Sequence, residues 1–391
     1  MARKLLSATL PPVRRPVPLG SRRPPESLAA LFAPYGALIC GSGTQALALA
    51  IADARIRSDS ARPEVILPAY ACPDLITASV YVGVYPRLVD TAAGEWGYDL
   101  EQLRTAISGD TVAVVAVNLL GVGDQAPRLR QIATECDTLL IQDSAQHLPP
   151  QLPAAWLGDY VVLSFGRGKP LNLLRGGALL HPPNRTADLA ARVQEPAAGT
   201  RDRFLESRLA GLAFNVATHP GVYAFSSRLL GGSLGSTRYK TLAAIRSVSA
   251  GTVAQVASGL CGYRDAAGYD ASIWRAACQE WLSRGIEPLR CNSQESRDTT
   301  RLRLPLLARD ERLCAALVSA LTARGLGASR LYGSSLDRIA DIPADVTRQG
   351  PFPNAAELAR RLFTLPTHSS VSSDAVRLAR ETVASVLQHL Y

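Results

Sequence analysis

The chain has 391 residues, of which 47% are hydrophobic, enough for a sizeable core in one to three domains. Its net charge of +9 is carried mostly by arginine and comes without a helix-turn-helix, RNA-binding or zinc-finger pattern, which sets nucleic acid aside and leaves an anionic membrane or an anionic substrate such as a nucleotide diphosphate. Seven cysteines scattered singly exclude a disulfide framework and a zinc site and fit a reducing cytoplasm, and no stretch reaches the roughly eighteen apolar residues of a membrane span.

Residues 1–25 are basic and proline-rich and read as an extended arm, with an apolar run too short for a signal-peptide core. A short helix is expected over 26–32 and a strand over 36–40. Gly41-Ser42-Gly43-Thr44 then opens a helix over 45–54. Gly43 and Thr44 at a helix start offer free N–H groups and a hydroxyl, a combination that suits a phosphate and also an ordinary cap. Residues 64–67 form a strand ending at Pro68, and 68–75 form a loop entering a helix with Pro73 near its first position. Strands follow at 85–90 and 111–117, the second closed by Asn118, with a helix beginning at Asp99 between them. After a helix at 127–136, an apolar strand ends in the carboxylate of Asp143, with Gln146 three residues on and His147 next to it as a buried or capping histidine. Strands alternating with helices at this spacing imply a parallel sheet covered on both faces.

Residues 160–163 form another buried strand, ending at Ser164-Phe165. A loop with Gly166, Gly168 and Lys169 leads through Gly176-Gly177 into the apolar run 178–180. Loops at the ends of buried strands are where such sheets place their chemistry. A helix is expected at 188–194. The apolar stretch 204–230, broken by Asn215, His219, Pro220 and Gly221, could line a dimer interface, cover the active site or touch a membrane surface. Helices are expected at 249–260, 271–284, 311–324 (stopped by Gly325) and 374–389, an alternating strand at 300–306 and a strand at 328–332. The expected division is an arm (1–25), a large α/β domain (26–245), a connecting helix region (246–270) and a smaller α+β C-terminal domain (271–391).

A helix-start phosphate site, a strand-end Asp and a lysine loop occur in this order in fold-type I pyridoxal 5'-phosphate (PLP) enzymes. The chain resembles the DegT/DnrJ/StrS-type aminotransferases, which aminate keto-sugars on nucleotide carriers. In that family a Ser-Phe pair precedes the cofactor lysine by five residues, as Ser164 precedes Lys169, and a Gly-Gly pair follows it by seven and eight, as Gly176-Gly177 do. An Asp-x-x-Gln pair serves the cofactor ring, as Asp143 and Gln146 would, and residues 351–368 resemble a structural segment ending in a Leu-Pro-x-His turn. The resemblance implies an α/β, aspartate aminotransferase-like fold with a mainly parallel sheet, and a cytoplasmic homodimer. It makes Lys169 the catalytic residue that carries the cofactor. Asp143 would pair with the pyridine nitrogen and Gln146 would bond the 3-oxygen side, while Gly43, Thr44 and Ser164 would hold the phosphate. The amino donor it implies is glutamate or glutamine.

The chain departs from the family in five places. Cys72 stands where an aromatic usually stacks on the ring, with Tyr70 two residues before it as a replacement. Asn118 stands for the common His, and Leu174-Arg175 for Gly-Glu. Arg175 either meets the donor carboxylate or a substrate phosphate, or is a solvated loop arginine. Val248 and Ala250 occupy the positions of an Asn and an Arg that hold a neighbouring subunit's phosphate, leaving the hydroxyls of Ser247 or Ser249 as substitutes. Tyr332 is a further substrate-contact candidate. Lys169 argues against the dehydratase version of the fold, which has His there. The departures leave open another PLP-dependent reaction on a non-sugar acceptor, or a non-catalytic PLP-binding member.

Overall fold

The computed structural model describes residues 9–19, 27–122, 125–149, 156–194, 204–229, 237–265, 270–291 and 301–390. Its first half alternates strands and helices: α1 (Leu28–Phe32), β1 (Gly36–Cys40), α2 (Gly43–Ile56), β2 (Glu64–Pro68), α3 (Asp74–Tyr81), β3 (Tyr85–Val89), α4 (Leu100–Ala106), β4 (Thr111–Val117), α5 (Ala126–Glu135), β5 (Leu139–Asp143), β6 (Tyr160–Ser164) and β7 (Gly177–His181). These strands make one sheet in the order β1-β7-β6-β5-β4-β2-β3. Pairing is parallel from β3 through β6 and antiparallel on both sides of β7, so β7 alone runs against the rest. The sheet is therefore mainly parallel, as the alternation implies. On β4, Ala113 and Val115 pack with α2 and α3, while Val114 and Ala116 pack with α4 and α5. Burial on both faces explains why these strands read as continuous apolar runs.

Helices α6 (Thr186–Ala190), α7 (Phe204–Ala217), α8 (Pro220–Leu229) and α9 (Ala250–Asp265) connect to the C-terminal part. There, α10 (Arg275–Leu282), β8 (Ile286–Pro288), β9 (Arg303–Ala308), α11 (Glu311–Ala323), α12 (Ala344–Thr347), α13 (Pro353–Arg361), β10 (Leu362–Pro366) and α14 (Ser373–Leu390) surround a second, antiparallel sheet ordered β10-β9-β8. Its core joins Trp274 and Trp281 to Leu313, Leu317 and Leu321 of α11 and Leu378 of α14.

Three local expectations change. The expected alternating strand 300–306 is β9, and every one of its residues is buried, because it is the central strand of its sheet. Residues 328–332 are not a strand: Ser329 alone bridges to Thr364, and positive φ angles at Gly327 (+64°) and Gly333 (+77°) turn the chain away on either side. The expected helix 271–284 starts as a 3-10 turn, Ala271–Trp274, before α10. The three-residue β8 had no periodicity to announce it.

Side chains tie the two sheets together. Asp90, buried just past β3, accepts the N–H groups of Asn354 (3.0 Å) and Ala355 (2.8 Å) and so caps α13 of the other sheet. Gln349 pairs with the open edge of β3, accepting from Leu88 N–H and donating to Pro86 O, both at 2.8 Å. Inside the large sheet, Asp53 of α2 is fully buried. Burial pushes its pKa up, but Arg185 at 2.5 Å and the Tyr160 hydroxyl outweigh this and hold it below the ordinary carboxylate value.

The described part of the N-terminal arm is docked. Leu10 N–H donates to Gly325 O (2.8 Å), and Arg14 donates to Ser370 (2.9 Å). His368, from the Leu-Pro-x-His turn, donates Nε2–H to Pro11 O (3.0 Å) and accepts Ser370 N–H at Nδ1 (3.3 Å). Both nitrogens are used by the neutral ring, and burial pushes its pKa from 6.5 down to about 4. The unfolded chain thus takes up a proton that native His368 refuses. Stability is expected to fall as pH drops from about 6.5 towards 4, by at most about 3 kcal/mol from this residue. Denaturant titrations across that window should show a flatter pH dependence for His368→Gln; an equal slope would assign the loss to other groups.

Candidate active site

Because β7 is antiparallel to both neighbours, β1 ends at the same edge as β2, β4, β5 and β6. Helix α2 begins directly at that edge. Ser42 caps it, accepting Gln45 N–H at 3.2 Å, while the first-turn N–H groups of Gly43 and Thr44 have no carbonyl within the helix. Close contact fixes this position. A Cβ on Gly43 would lie 2.8 Å from Ser164 Cβ, and one on Gly177 would lie 2.4 Å from Gly43 N. Gly176, at φ +91°, donates its N–H to Gly41 O at 3.0 Å. Only glycine allows these backbones to meet.

The lysine loop is closed on itself. Phe165 N–H donates to Gly176 O (2.9 Å) and Leu173 N–H to Phe165 O (2.8 Å), while Phe165 is buried beneath. Asn172 braces the loop by donating to Arg15 O (2.9 Å) and accepting Leu174 N–H (3.1 Å). Gly168, at φ +69°, turns the chain so that Lys169 reaches the cleft. Of the two lysines among the described residues, Lys169 lines it and Lys240 does not.

The cleft brings together Gly43, Thr44, Cys72, Asp143, Gln146, Ser164, Lys169 and Tyr332. Asp143 is 9% exposed and accepts one hydrogen bond, from Ala145 N–H at 2.9 Å. Burial raises its pKa; the Ala145 bond and the Lys169 charge oppose the shift without cancelling it. Gln146 donates to the Tyr332 hydroxyl at 2.5 Å, and its Oε1 is buried without a partner. Burial likewise pushes the Cys72 thiol up to about 12, which keeps it protonated.

Two expected contacts lie elsewhere. Tyr70 is fully buried behind the cleft, edge-on to Tyr332 with ring centres 5.5 Å apart, so it supports that side chain and does not line the cavity. Arg175 is exposed after the strained Leu174 (φ +65°) and is not among the lining residues. Ser249 is spent on a local turn, accepting Thr252 N–H at 3.3 Å. His147 is buried, in keeping with a structural role. The sequence reading assigned no role to two lining residues. Asn118, at the end of β4, is 9% exposed with Oδ1 unpartnered. Asp74, in the first turn of α3, accepts the Thr44 hydroxyl at 3.0 Å. The position of Asn118 one residue past a buried strand was the available signal; the pairing of Asp74 with a residue thirty positions away left none.

The donor set fits PLP. Two free N–H groups and the hydroxyls of Thr44 and Ser164 suit a phosphate at a helix start. The buried, singly bonded Asp143 lacks a cationic partner such as a protonated ring nitrogen, and the unpartnered oxygens of Asn118 and Gln146 face the same space.

Comparison with known proteins agrees. The profile of the DegT/DnrJ/EryC1/StrS aminotransferase family matches residues 26–218. The chain is 28% identical over 144 residues to a UDP-N-acetyl-3-dehydro-alpha-D-glucosamine 3-aminotransferase of Acidithiobacillus ferrooxidans, covering 36% of this chain and 38% of that protein. It is 27% identical over 157 residues to a 3-amino-5-hydroxybenzoate synthase of Amycolatopsis mediterranei, covering 38% and 39%. The matches thus span about two fifths of these relatives' length. A putative sugar aminotransferase from Streptococcus pneumoniae, solved in its PMP form, superposes with a TM-score of 0.63 at 17% identity, over 91% of this chain and 88% of that one. The fold is that of the fold-type I PLP aminotransferases.

Two outcomes are expected. Gly43→Ala should lower stability by about 1–3 kcal/mol through overpacking, and Ser164→Gly in the same chain should restore part of it in urea titrations. In cofactor-free protein, native Asp143 keeps its proton at pH values where the unfolded chain has lost it, so this residue costs stability as pH rises past the ordinary carboxylate range. Asp143→Asn should therefore melt above wild type at about pH 7.5 and lose that advantage in acid; a lower melting temperature at both ends would contradict an unpaired carboxylate.

Proposed function

From the premise that the chain belongs to the DegT/DnrJ/EryC1/StrS aminotransferase family, we propose that it is a PLP-dependent aminotransferase acting on a keto-sugar carried by a nucleotide, with L-glutamate or glutamine as amino donor. The observation that carries this reading is the convergence of Lys169, Asp143, Gln146 and Ser164 on one cleft at the start of α2.

When bound, PLP supplies an aldehyde that takes up the amine and a ring that accepts the electron pair left when Cα loses its proton. The chain's residues do the rest. Lys169 Nζ would hold the cofactor and, when its amine is free, would take and return the proton of the substrate Cα. Asp143 would keep the ring nitrogen protonated, and its burial would strengthen that pairing. Gly43, Thr44 and Ser164 bind the phosphate, for which Thr44 must turn its hydroxyl away from Asp74. Gln146 would donate the second N–H of its amide to the ring oxygen while the first remains on Tyr332. Cys72 lines the cleft as a neutral thiol, where the family's usual aromatic would stack.

Lys169 is the one cation among the described lining residues. An anionic substrate then draws its counter-charge from outside this chain's cleft, which favours a homodimer that completes the site. The likeness to a 3-amino-5-hydroxybenzoate synthase favours, as a second reading, the same reaction on a non-sugar ketone.

The purified protein with PLP should carry a visible band that L-glutamate bleaches and a 2-oxo acid restores. Lys169→Ala should lack that band and lose at least about 10³-fold in turnover. A chain that binds PLP through Lys169 but ignores every amino donor is not an aminotransferase. Turnover with a non-sugar ketone, and none with nucleotide-linked keto-sugars, selects the second reading.

A further inference from the structure

The start of α2 faces a carboxylate. Asp74 lies in the first turn of α3 and lines the cleft, and its Oδ2 accepts the Thr44 hydroxyl at 3.0 Å. Its charge reaches the groups around it. Burial raises the pKa of the Cys72 thiol and of the Asp143 carboxyl, and Asp74 adds to both rises. The charged groups among the described lining residues are therefore two carboxylates, Asp74 and Asp143, and one cation, Lys169. A helix-start acid commonly serves its own helix, and α3 has the need: Pro73 caps it without a side-chain bond, so a first-turn carboxylate complements its free N–H groups. That role does not call for Thr44. Asp74 is half-buried and turned onto α2 all the same.

In a cleft loaded with PLP, Asp143 would face the ring nitrogen and Lys169 the aldehyde carbon, which leaves Asp74 beside the phosphate. There the described residues offer neutral donors only: the N–H groups of Gly43 and Thr44 and the hydroxyls of Thr44 and Ser164. A phosphate oxygen bonded to Thr44 Oγ1 lies no more than about 6 Å from Asp74 Oδ2. Like charges at about 6 Å weaken binding by roughly 3-fold per unit charge in bulk water and roughly 100-fold near a protein surface. The donor is contested as well. Thr44 has a single hydroxyl proton, which goes either to Asp74 or to the phosphate.

We propose that Asp74 is a selectivity residue for the cofactor: its carboxylate repels the phosphate and competes with it for the Thr44 hydroxyl, so the chain prefers PLP over unphosphorylated pyridoxal by less than its donor set allows. The ring and aldehyde contacts, made by Asp143, Gln146 and Lys169, lie outside this competition. Cofactor is then held loosely at its phosphate end, and occupancy of the cleft follows the supply of PLP. The proposal rests on the reading of the cleft as a PLP site.

The test is a titration of the cofactor-free full chain with PLP and, separately, with pyridoxal, followed by the visible band, for wild type, Asp74→Asn and Asp74→Ala. Asp74→Asn removes the charge and keeps an acceptor for Thr44, and Asp74→Ala also frees the hydroxyl. The dissociation constant for PLP should fall about tenfold or more in Asp74→Asn and at least as far in Asp74→Ala, while that for pyridoxal stays within about twofold. Equal shifts for the two ligands would place the effect on the ring, the lysine or the fold and overturn the proposal. Unchanged affinities with a lower melting temperature would reduce Asp74 to a cap of α3 and overturn it too. A band in none of the three proteins sinks the PLP reading itself, and the role of Asp74 with it; a band whose strength ignores position 74 sinks only that role.

Discussion

The site depends on one close contact between backbones. The first turn of α2 presses against the ends of β6 and β7 so tightly that neither Gly43 nor Gly177 has room for a methyl group. That contact puts the free N–H groups of α2 beside Ser164, and the return of Gly176 to Gly41 anchors the far end of the lysine loop. The start of α2 and the lysine loop therefore share one anchor, and a shift at either glycine would move both. At the other end of α2, Asp53 is clamped by Tyr160 and Arg185, so the helix is held at both ends against strand β6.

The cleft trades stability for chemistry. Asp143, Asn118 and Gln146 each carry a buried oxygen, or a buried charge, that the protein alone satisfies incompletely. Polar groups left in this state cost free energy. A ligand that offers a cation to Asp143 and hydrogen-bond donors to the two amide oxygens would offset this cost, and perturbed groups of this kind gather at functional sites.

The C-terminal part completes this cleft through Tyr332, carried on a loop that turns at Gly327 and Gly333. The loop is held to the large sheet by Leu336 N–H donating to Ala69 O at 2.8 Å, and Asp90 fixes α13 to the same sheet. The arm crosses from Pro220 to Gly325 and His368, so α8, the second sheet and the lysine loop are braced by a single strand of chain.

By itself, the sequence determined the strands and helices of the large sheet and singled out the lysine that the fold places in the cleft. Apolar runs of five to seven residues buried on both faces are unambiguous, and Ser164, Lys169, Asp143 and Gln146 sit at spacings the resemblance could read. Local patterning could not show that β7 runs antiparallel, that Tyr70 backs Tyr332 from outside the cavity, or that Arg175 lies outside it. Asp74 on Thr44, Asp90 on α13 and Gln349 on β3 join residues thirty to more than two hundred and sixty positions apart. Such pairs have no periodicity, and only the folded chain decides which polar side chain meets which.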